Sequence, residues 1–130
     1  IGPDAASAVI PLTTTLKDPE WMVRNAAVYA LQRIGNTEAQ AALKQELPIY
    51  IQGLQSENLE ERLYAVEGLG YFGRFGSEAI PSLAKTMLNS EYLAEQYKGK
   101  EPELEKVHNW IANQAVFSIQ KLRSPGKKDF

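Results

Sequence analysis

Three segments of the chain resemble one another, and this internal repetition constrains the fold more than any other feature of the sequence. The first segment begins at Val23, the second begins 38 positions later at Glu61, and the third begins 50 positions further on at Ile111. Three sets of equivalent positions agree in residue type: Ala27, Ala65 and Ala115; Val28, Val66 and Val116; and Leu31, Leu69 and Ile119. This agreement predicts three copies of one structural unit.

Apolar residues within each segment recur with the period of an α-helix. In the first segment Val23, Ala27, Leu31 and Ile34 form one stripe of such a helix. A different apolar helix precedes each segment, over residues 5–17, 38–55 and 77–89. We call this preceding helix the A helix of a pair and the repeated segment its B helix. Because no run alternates with the period of a strand, the sequence predicts an all-α solenoid of about three antiparallel A–B pairs.

Local signals indicate where several helices begin and end. Asn36 and Ser77 are of the residue types that cap helix starts, whereas Gly35, Gly73 and Gly126 suit helix ends. The expected boundaries are a repeat domain at 1–126, repeats at about 1–35, 36–73 and 74–123, an insertion at about 90–106, and a basic tail at 127–130. The insertion has two interpretations, which are longer flanking helices around a solvated turn or a loop that binds a partner.

The first copy carries an extended motif that reads Asp18-Pro19-x-x-x-Val23-Arg24-x-Ala26-Ala27-x-x-Ala30-Leu31-x-x-Ile34-Gly35. With the Ile-Pro pairs at 10–11 and 80–81, this motif resembles the HEAT repeat family, especially the bacterial HEAT-like repeats also found in phycobilin lyases. The resemblance implies an α-solenoid. It also implies that Asp18 and Arg24 join successive turns, as the aspartate and arginine of the family do. The second copy keeps Arg62 but has Ser56 where the family often has aspartate, and the third copy has Ala112 instead of the arginine.

Composition argues against several classes of function. The chain has 14 basic and 16 acidic residues, no cysteine, and a single histidine, His108. It therefore offers no disulfide, no thiolate metal site and no cysteine nucleophile, and its near-neutral charge argues against a general phosphate-binding surface. The glycines of Gly68-x-Gly70-x-x-Gly73 follow no predicted strand, so they do not indicate a dinucleotide site. We expect neither an enzyme nor a bound cofactor or metal ion.

The exposed ridge of the B helices is the candidate binding surface. The residues assigned to it are Asn25 and Leu63; Tyr29, Glu67 and Phe117; and Arg33, Tyr71 and Lys121. In solenoids the B helices line the concave side, and aromatic and arginine residues are frequent binding anchors. We therefore expect a non-catalytic scaffold that binds a protein or peptide here. Alternatively, Tyr29 and Phe117 only cover the groove between repeats.

Two other functions stay open at this stage. One is a subunit of a phycobilin lyase-like chromophore-handling factor, and the other is a HEAT-like nucleic-acid-binding protein. Glu67, near the middle of the ridge, opposes a nucleic acid, since its charge repels phosphates.

The beginning of the chain suggests a further association. Residues 1–5 resemble residues 75–79, which follow a B helix, and Val9, Leu12 and Leu16 give the first helix an apolar side without predicted cover. We expect the chain to be part of a longer solenoid or to self-associate through this helix. No apolar run is long enough to span a bilayer, and a cytoplasmic location is expected rather than an extracytoplasmic one.

Overall fold

The computed structural model describes residues 7–123. Four expectations lie outside the described residues: the junction at 1–5, the first helix start at residue 5, the helix end at Gly126, and the basic tail at 127–130. Within residues 7–123 the chain forms six α-helices and no β-strand, which confirms the all-α prediction. They are α1 (Val9–Thr15), α2 (Trp21–Ile34), α3 (Thr37–Gly53), α4 (Leu59–Tyr71), α5 (Ile80–Tyr97) and α6 (Pro102–Arg123).

The helices pair in the predicted order. The pairs α1–α2, α3–α4 and α5–α6 each pack together, so α1, α3 and α5 are the A helices and α2, α4 and α6 are the B helices. Helix α2 also packs on α4, and α4 packs on α6. The three B helices therefore lie side by side with α4 in the middle, as expected of stacked helical repeats that bury a shared core.

Local capping explains the boundary between the first two pairs. Gly35 follows α2 with a φ of 66°, a left-handed conformation that glycine adopts without strain. Asn36 Oδ1 then accepts a hydrogen bond from the backbone N–H of Ala39 at 2.8 Å, and this caps α3. Asn58 caps α4 in the same way through the N–H of Glu61 at 3.1 Å. The helix end expected at Gly35 and the helix start expected at Asn36 are thus confirmed.

The predicted helix start at Ser77 is wrong. Ser77 lies inside a 3₁₀ segment at Gly73–Ala79, and α5 begins only at Ile80. The 3₁₀ segment begins at Gly73, whose φ is 57°. The chain therefore turns at Gly73, and no N-cap residue in an extended conformation precedes α5.

The core occupies the space between the A and B helices. Its largest fully buried side chains include Leu31, Leu43, Tyr50, Leu69, Phe72, Leu83 and Ile111. The stripe predicted for α2 is wrong at Val23, which is exposed, while Ala27, Val28 and Leu31 are buried. The buried side is shifted because α2 contacts α4 as well as the A helices α1 and α3.

Helix α1 does not present the uncovered apolar side that was expected. Val9 and Leu16 are buried, and Leu12 is partly buried against the core. This burial arises because α1 packs on both α2 and α3. The most exposed large apolar residue of α1 is instead Ile10.

The third pair is the longest. Helix α5 has 18 residues and α6 has 22 residues. The segment at 90–106 supplies the last turns of α5, a turn at 98–101 and the beginning of α6. Gly99, with a φ of 76°, lies in that turn. The additional residues are therefore mostly helical.

Arginines at equivalent positions in the first two repeats make different contacts. Arg62 donates from Nε and Nη2 to the Ser56 carbonyl oxygen at 3.1 and 2.8 Å, which joins α4 to the preceding turn. Arg24 instead lies over the ring of Trp21 at 4.0 Å. Asp18 Oδ1 accepts a hydrogen bond from the backbone N–H two residues later at 2.9 Å. The turn contact is thus made by Arg62, in the repeat that has serine rather than aspartate.

Candidate functional site

Six of the eight residues predicted for the B-helix ridge lie on one continuous surface, which we call the B-helix face. Its members are Tyr29, Arg33, Glu67, Tyr71, Phe117 and Lys121. Two adjoining depressions of about 270 and 140 Å³ share Tyr71 and Lys121 in their walls. The three B helices bring these residues together because α4 packs between α2 and α6.

Tyrosines connect the first two B helices on this face. The rings of Tyr29 on α2 and Tyr71 on α4 meet edge to face, with centroids 5.7 Å apart, a geometry that favours aromatic pairs. Arg33 Nη1 donates to the Tyr29 hydroxyl at 3.2 Å. Tyr29 nevertheless remains 47% exposed, so it keeps surface available for another molecule.

Tyr71 is held as a neutral hydrogen-bond donor. Its hydroxyl donates to Glu67 Oε2 at 3.2 Å on the same helix. Burial, and after it the Glu67 carboxylate, raise the pKa of Tyr71, because both oppose the negative phenolate. The pair fixes the Glu67 carboxylate in the middle of the face.

Helix α6 contributes a cation beside an aromatic ring. Phe117 is 53% exposed, and Lys121 Nζ lies 5.0 Å from its ring centroid, within the range of a cation–π contact. Both side chains therefore face outward on the last part of the B-helix face.

Asn25 does not lie on the exposed ridge, so its predicted place there is wrong. It is only 4% exposed. Its Nδ2 donates to the Tyr64 carbonyl oxygen at 3.1 Å, and its Oδ1 accepts from the Tyr50 hydroxyl at 2.7 Å. Gly68 makes room for this pair, since a Cβ there would overlap both side chains. Asn25 is buried because it satisfies polar groups of α3 and α4.

Leu63 occupies a different place from the one expected. It is partly buried and packs against the core, and it lines an apolar pocket of about 380 Å³ near the beginnings of α4 and α6. The lining residues of this apolar pocket are Leu59, Glu60, Leu63, Tyr64, Glu67, Val107, Trp110 and Gln114. Glu67 lines both this pocket and one of the depressions, so the pocket continues the B-helix face.

Sequence reasoning missed Trp110, which is 57% exposed at the apolar pocket. A signal for it existed. The offsets of 38 and 50 positions that relate the repeats make Met22, Glu60 and Trp110 equivalent, and all three are exposed. They lie two helical turns before Tyr29 and its equivalents, on the same side of each B helix.

Two observations concern metal and acid–base chemistry in the described part of the chain. Residues 7–123 contain no group of three or more histidine, cysteine, aspartate or glutamate side chains placed to hold a metal ion. His108 is 3% exposed and stacks on Tyr97 with ring centroids 5.8 Å apart. Burial, and secondarily the charge of Arg62, lower the pKa of His108. The imidazole is therefore neutral and enclosed near neutral pH.

Among the described helices none is long and apolar enough to cross a membrane. In comparison with known proteins, the HEAT repeat family model matches residues 9–37, which comprise α1, α2 and the first residue of α3. No curated protein and no solved structure matches the chain significantly. HEAT repeats are typically non-enzymatic helical scaffolds. The described residues thus form an all-α helical-repeat fold, and residues 9–37 match the HEAT repeat family model.

Proposed function

We propose that the protein is a non-catalytic scaffold that binds a segment of a partner protein on the B-helix face. HEAT repeats generally mediate protein–protein interaction. The observation that carries the proposal is the exposure of Tyr29, Trp110 and Phe117 along one surface formed by the B helices and the apolar pocket. Large aromatic side chains in partly enclosed positions are frequent anchors of binding.

The apolar pocket supplies a site for one bulky side chain of the partner. Its volume of about 380 Å³ falls in the range of about 300–1,000 Å³ that is common for ligand sites. Leu63 and Val107 are partly buried against the core beneath it, while Trp110 remains exposed. A partner residue that enters this pocket would remove apolar surface of both molecules from water, which stabilises the complex.

The dimensions of the face suit a short segment. Trp110 and Lys121 are eleven positions apart on α6, which corresponds to about 16 Å along a helix. An extended chain of about five residues covers that distance. Glu67 lies on the face together with its cations, and Glu60 lines the adjoining apolar pocket. This mixture of charges suits a polypeptide better than the uniformly charged backbone of a nucleic acid.

Selection from random peptides tests the proposal without a known partner. Peptides of about 12 residues displayed on phage cover the distance in either an extended or a helical form. Enriched peptides are synthesised, and their Kd is measured by titration calorimetry. Trp110→Ala and Phe117→Ala should each raise the Kd by about tenfold, since truncation of a binding anchor commonly costs more than 1 kcal/mol.

Tyr92→Ala is the matched control. Tyr92 is an aromatic residue on α5 with 61% exposure, it does not line the apolar pocket or either depression, and it lies in the segment at 90–106. Its replacement should leave the Kd within about twofold. If Tyr92→Ala raises the Kd and the two α6 variants do not, the binding site lies on the segment at 90–106 and the proposal is contradicted. Circular dichroism and thermal unfolding of each variant establish that the fold is retained.

A further inference from the structure

Three cations from three different elements converge on the larger depression of the B-helix face, which we call the basic depression. Arg33 comes from α2, Arg74 from the 3₁₀ segment, and Lys121 from α6. Among the described residues that line it, none is acidic. The formal net charge of the whole chain is −2, so this local excess of positive charge does not follow from the composition.

Aromatic rings hold these cations in place. Arg74 lies 4.8 Å from the ring centroid of Phe75, and Lys121 lies 5.0 Å from that of Phe117. Arg33 donates one hydrogen bond to the Tyr29 hydroxyl, and its guanidinium group has further N–H donors. All three cationic side chains are exposed. Stacking on a ring orients a cation without neutralising it, so the positive charges remain available to a ligand.

We propose that the basic depression is an oxyanion site, which binds a carboxylate or phosphate group carried by the partner segment. The inference rests on the proposed function and deepens it. Charge-assisted hydrogen bonds from arginine and lysine to such groups are among the stronger polar contacts. Three like charges around a depression of about 270 Å³ repel one another, and an anion among them relieves that repulsion.

The position of the basic depression determines how far apart the apolar residue and the anion of the partner segment must lie. Lys121 and Trp110 lie eleven positions apart on α6, about 16 Å along the helix. A segment with its bulky apolar residue in the apolar pocket therefore places its anion about five residues away if extended, or about eleven if helical. Glu60 at the apolar pocket repels an anion there, so the segment binds in one orientation.

The test uses peptides selected on the wild-type protein. They should contain a bulky apolar residue and an aspartate or glutamate at one of these two separations. Replacing that acidic residue by its amide should weaken binding to the wild-type protein by about tenfold. The double variant Arg33→Gln/Lys121→Gln should weaken binding of the acidic peptide similarly, and it should weaken binding of the amide peptide by a clearly smaller factor, because the removed charges then have no anionic partner.

Arg123→Gln is the control for a general loss of positive charge. Arg123 is exposed in the last turn of α6, as Lys121 is, but it does not line the basic depression. Its replacement should change the Kd of the acidic peptide by less than about twofold. A parallel peptide with phosphoserine in place of the acidic residue distinguishes the two sources of the anion: tighter binding that the double variant abolishes assigns a phosphate, and weaker binding assigns a carboxylate.

Failure of this inference differs from failure of the proposed function. If Trp110→Ala weakens the peptides but the amide replacement or the double variant has no effect, the B-helix face binds partners and the basic depression is not an oxyanion site. The same conclusion follows if Arg123→Gln has as large an effect as the double variant. If no peptide is enriched, or if Trp110→Ala leaves the Kd of the enriched peptides unchanged, both the proposed function and this inference are contradicted.

Discussion

The hydroxyl of Tyr50 on α3 donates a 2.7 Å hydrogen bond to the side-chain oxygen of Asn25 on α2. The amide nitrogen of Asn25 donates in turn to the main-chain oxygen of Tyr64 on α4. Both side chains are buried. One asparagine therefore joins three helices and links the first two repeats through buried polar contacts.

Asn25→Ala should lower the free energy of unfolding by about 2–3 kcal/mol. The replacement leaves the buried Tyr50 hydroxyl without its partner and removes the Asn25 bond to the Tyr64 carbonyl, and an unsatisfied buried polar group costs about 1–3 kcal/mol. Urea unfolding followed by circular dichroism measures the change. Asn113, the equivalent residue of the third repeat, is exposed, and Asn113→Ala should change the stability by less than about 0.5 kcal/mol. Equal losses for the two variants would show that the buried hydrogen bonds contribute nothing.

Gly68→Ala should destabilise the protein although alanine is the better helix former. Helix propensity alone favours alanine by about 1 kcal/mol. A Cβ at Gly68 would, however, overlap the side chains of Asn25 and Tyr50, and overpacking of a core typically costs about 1–3 kcal/mol. In the double variant Gly68→Ala/Asn25→Ala one of the overlapping groups is gone, so its loss of stability should be smaller than the sum of the single losses. A Gly68→Ala protein that is more stable than the wild type would contradict this packing.

Leu31→Ala and Leu69→Ala should each lower the free energy of unfolding by about 2–5 kcal/mol, the usual range for buried leucine. The two residues are equivalent in the first and second repeats, and both are fully buried. Leu88→Ala is the matched control, since Leu88 on α5 is exposed and should lose less than about 1 kcal/mol. Chemical unfolding of the three variants under the same conditions checks the order; a small loss for either buried leucine would be inconsistent with the helix register.

Mild acid should destabilise the α5–α6 pair through His108. The pKa of His108 is lowered in the folded protein, chiefly by burial and further by Arg62, so the unfolded chain binds a proton at a higher pH than the folded chain does. Neutral His108 therefore makes its full contribution to the free energy of unfolding above the unfolded pKa of about 6.5. This contribution is lost as the pH falls below that value. The slope for one proton cannot exceed about 1.4 kcal/mol per pH unit.

His108→Gln isolates this contribution. The measurement is the free energy of unfolding at several pH values between about 7 and 5 for the wild type and the variant, across the ordinary pKa of histidine. Glu46, whose pKa is raised mainly by burial, is present in both proteins, so its effect largely cancels in the difference. The variant should show the weaker decline with acidification. If the free energy of unfolding of the two proteins declines in parallel with pH, His108 has the same pKa in the folded and unfolded chains.

Much of the architecture could be predicted from residue spacing. Offsets of 38 and 50 positions align Ala27, Ala65 and Ala115, and all three alanines are buried. The helical period of such residues, together with caps at Gly35 and Asn36, is a local property of the chain, since it depends on backbone hydrogen bonds and on neighbours three and four positions away. These local signals were sufficient for the all-α repeat fold.

The composition of the B-helix face was predicted in part for the same reason. Tyr29, Glu67 and Phe117 occupy equivalent helix positions, and the side-by-side packing of α2, α4 and α6 places them on one surface. The apolar pocket at Trp110 depends in addition on how far α4 and α6 stand apart at their beginnings. That separation is set by the side chains packed between the helices, and no single helix specifies it.

Burial was decided by the tertiary structure. Asn25 and Asn113 are the same residue at equivalent positions of the first and third repeats, yet Asn25 is buried and Asn113 is exposed. At Asn25 the Tyr50 side chain reaches in from α3, and the absence of a side chain at Gly68 leaves room for both. The helical period of the sequence indicates on which side of a helix a residue lies. Whether that side is covered depends on the shapes and hydrogen-bonding groups that distant segments bring to it, because only packed and paired neighbours compensate a polar side chain for the loss of water.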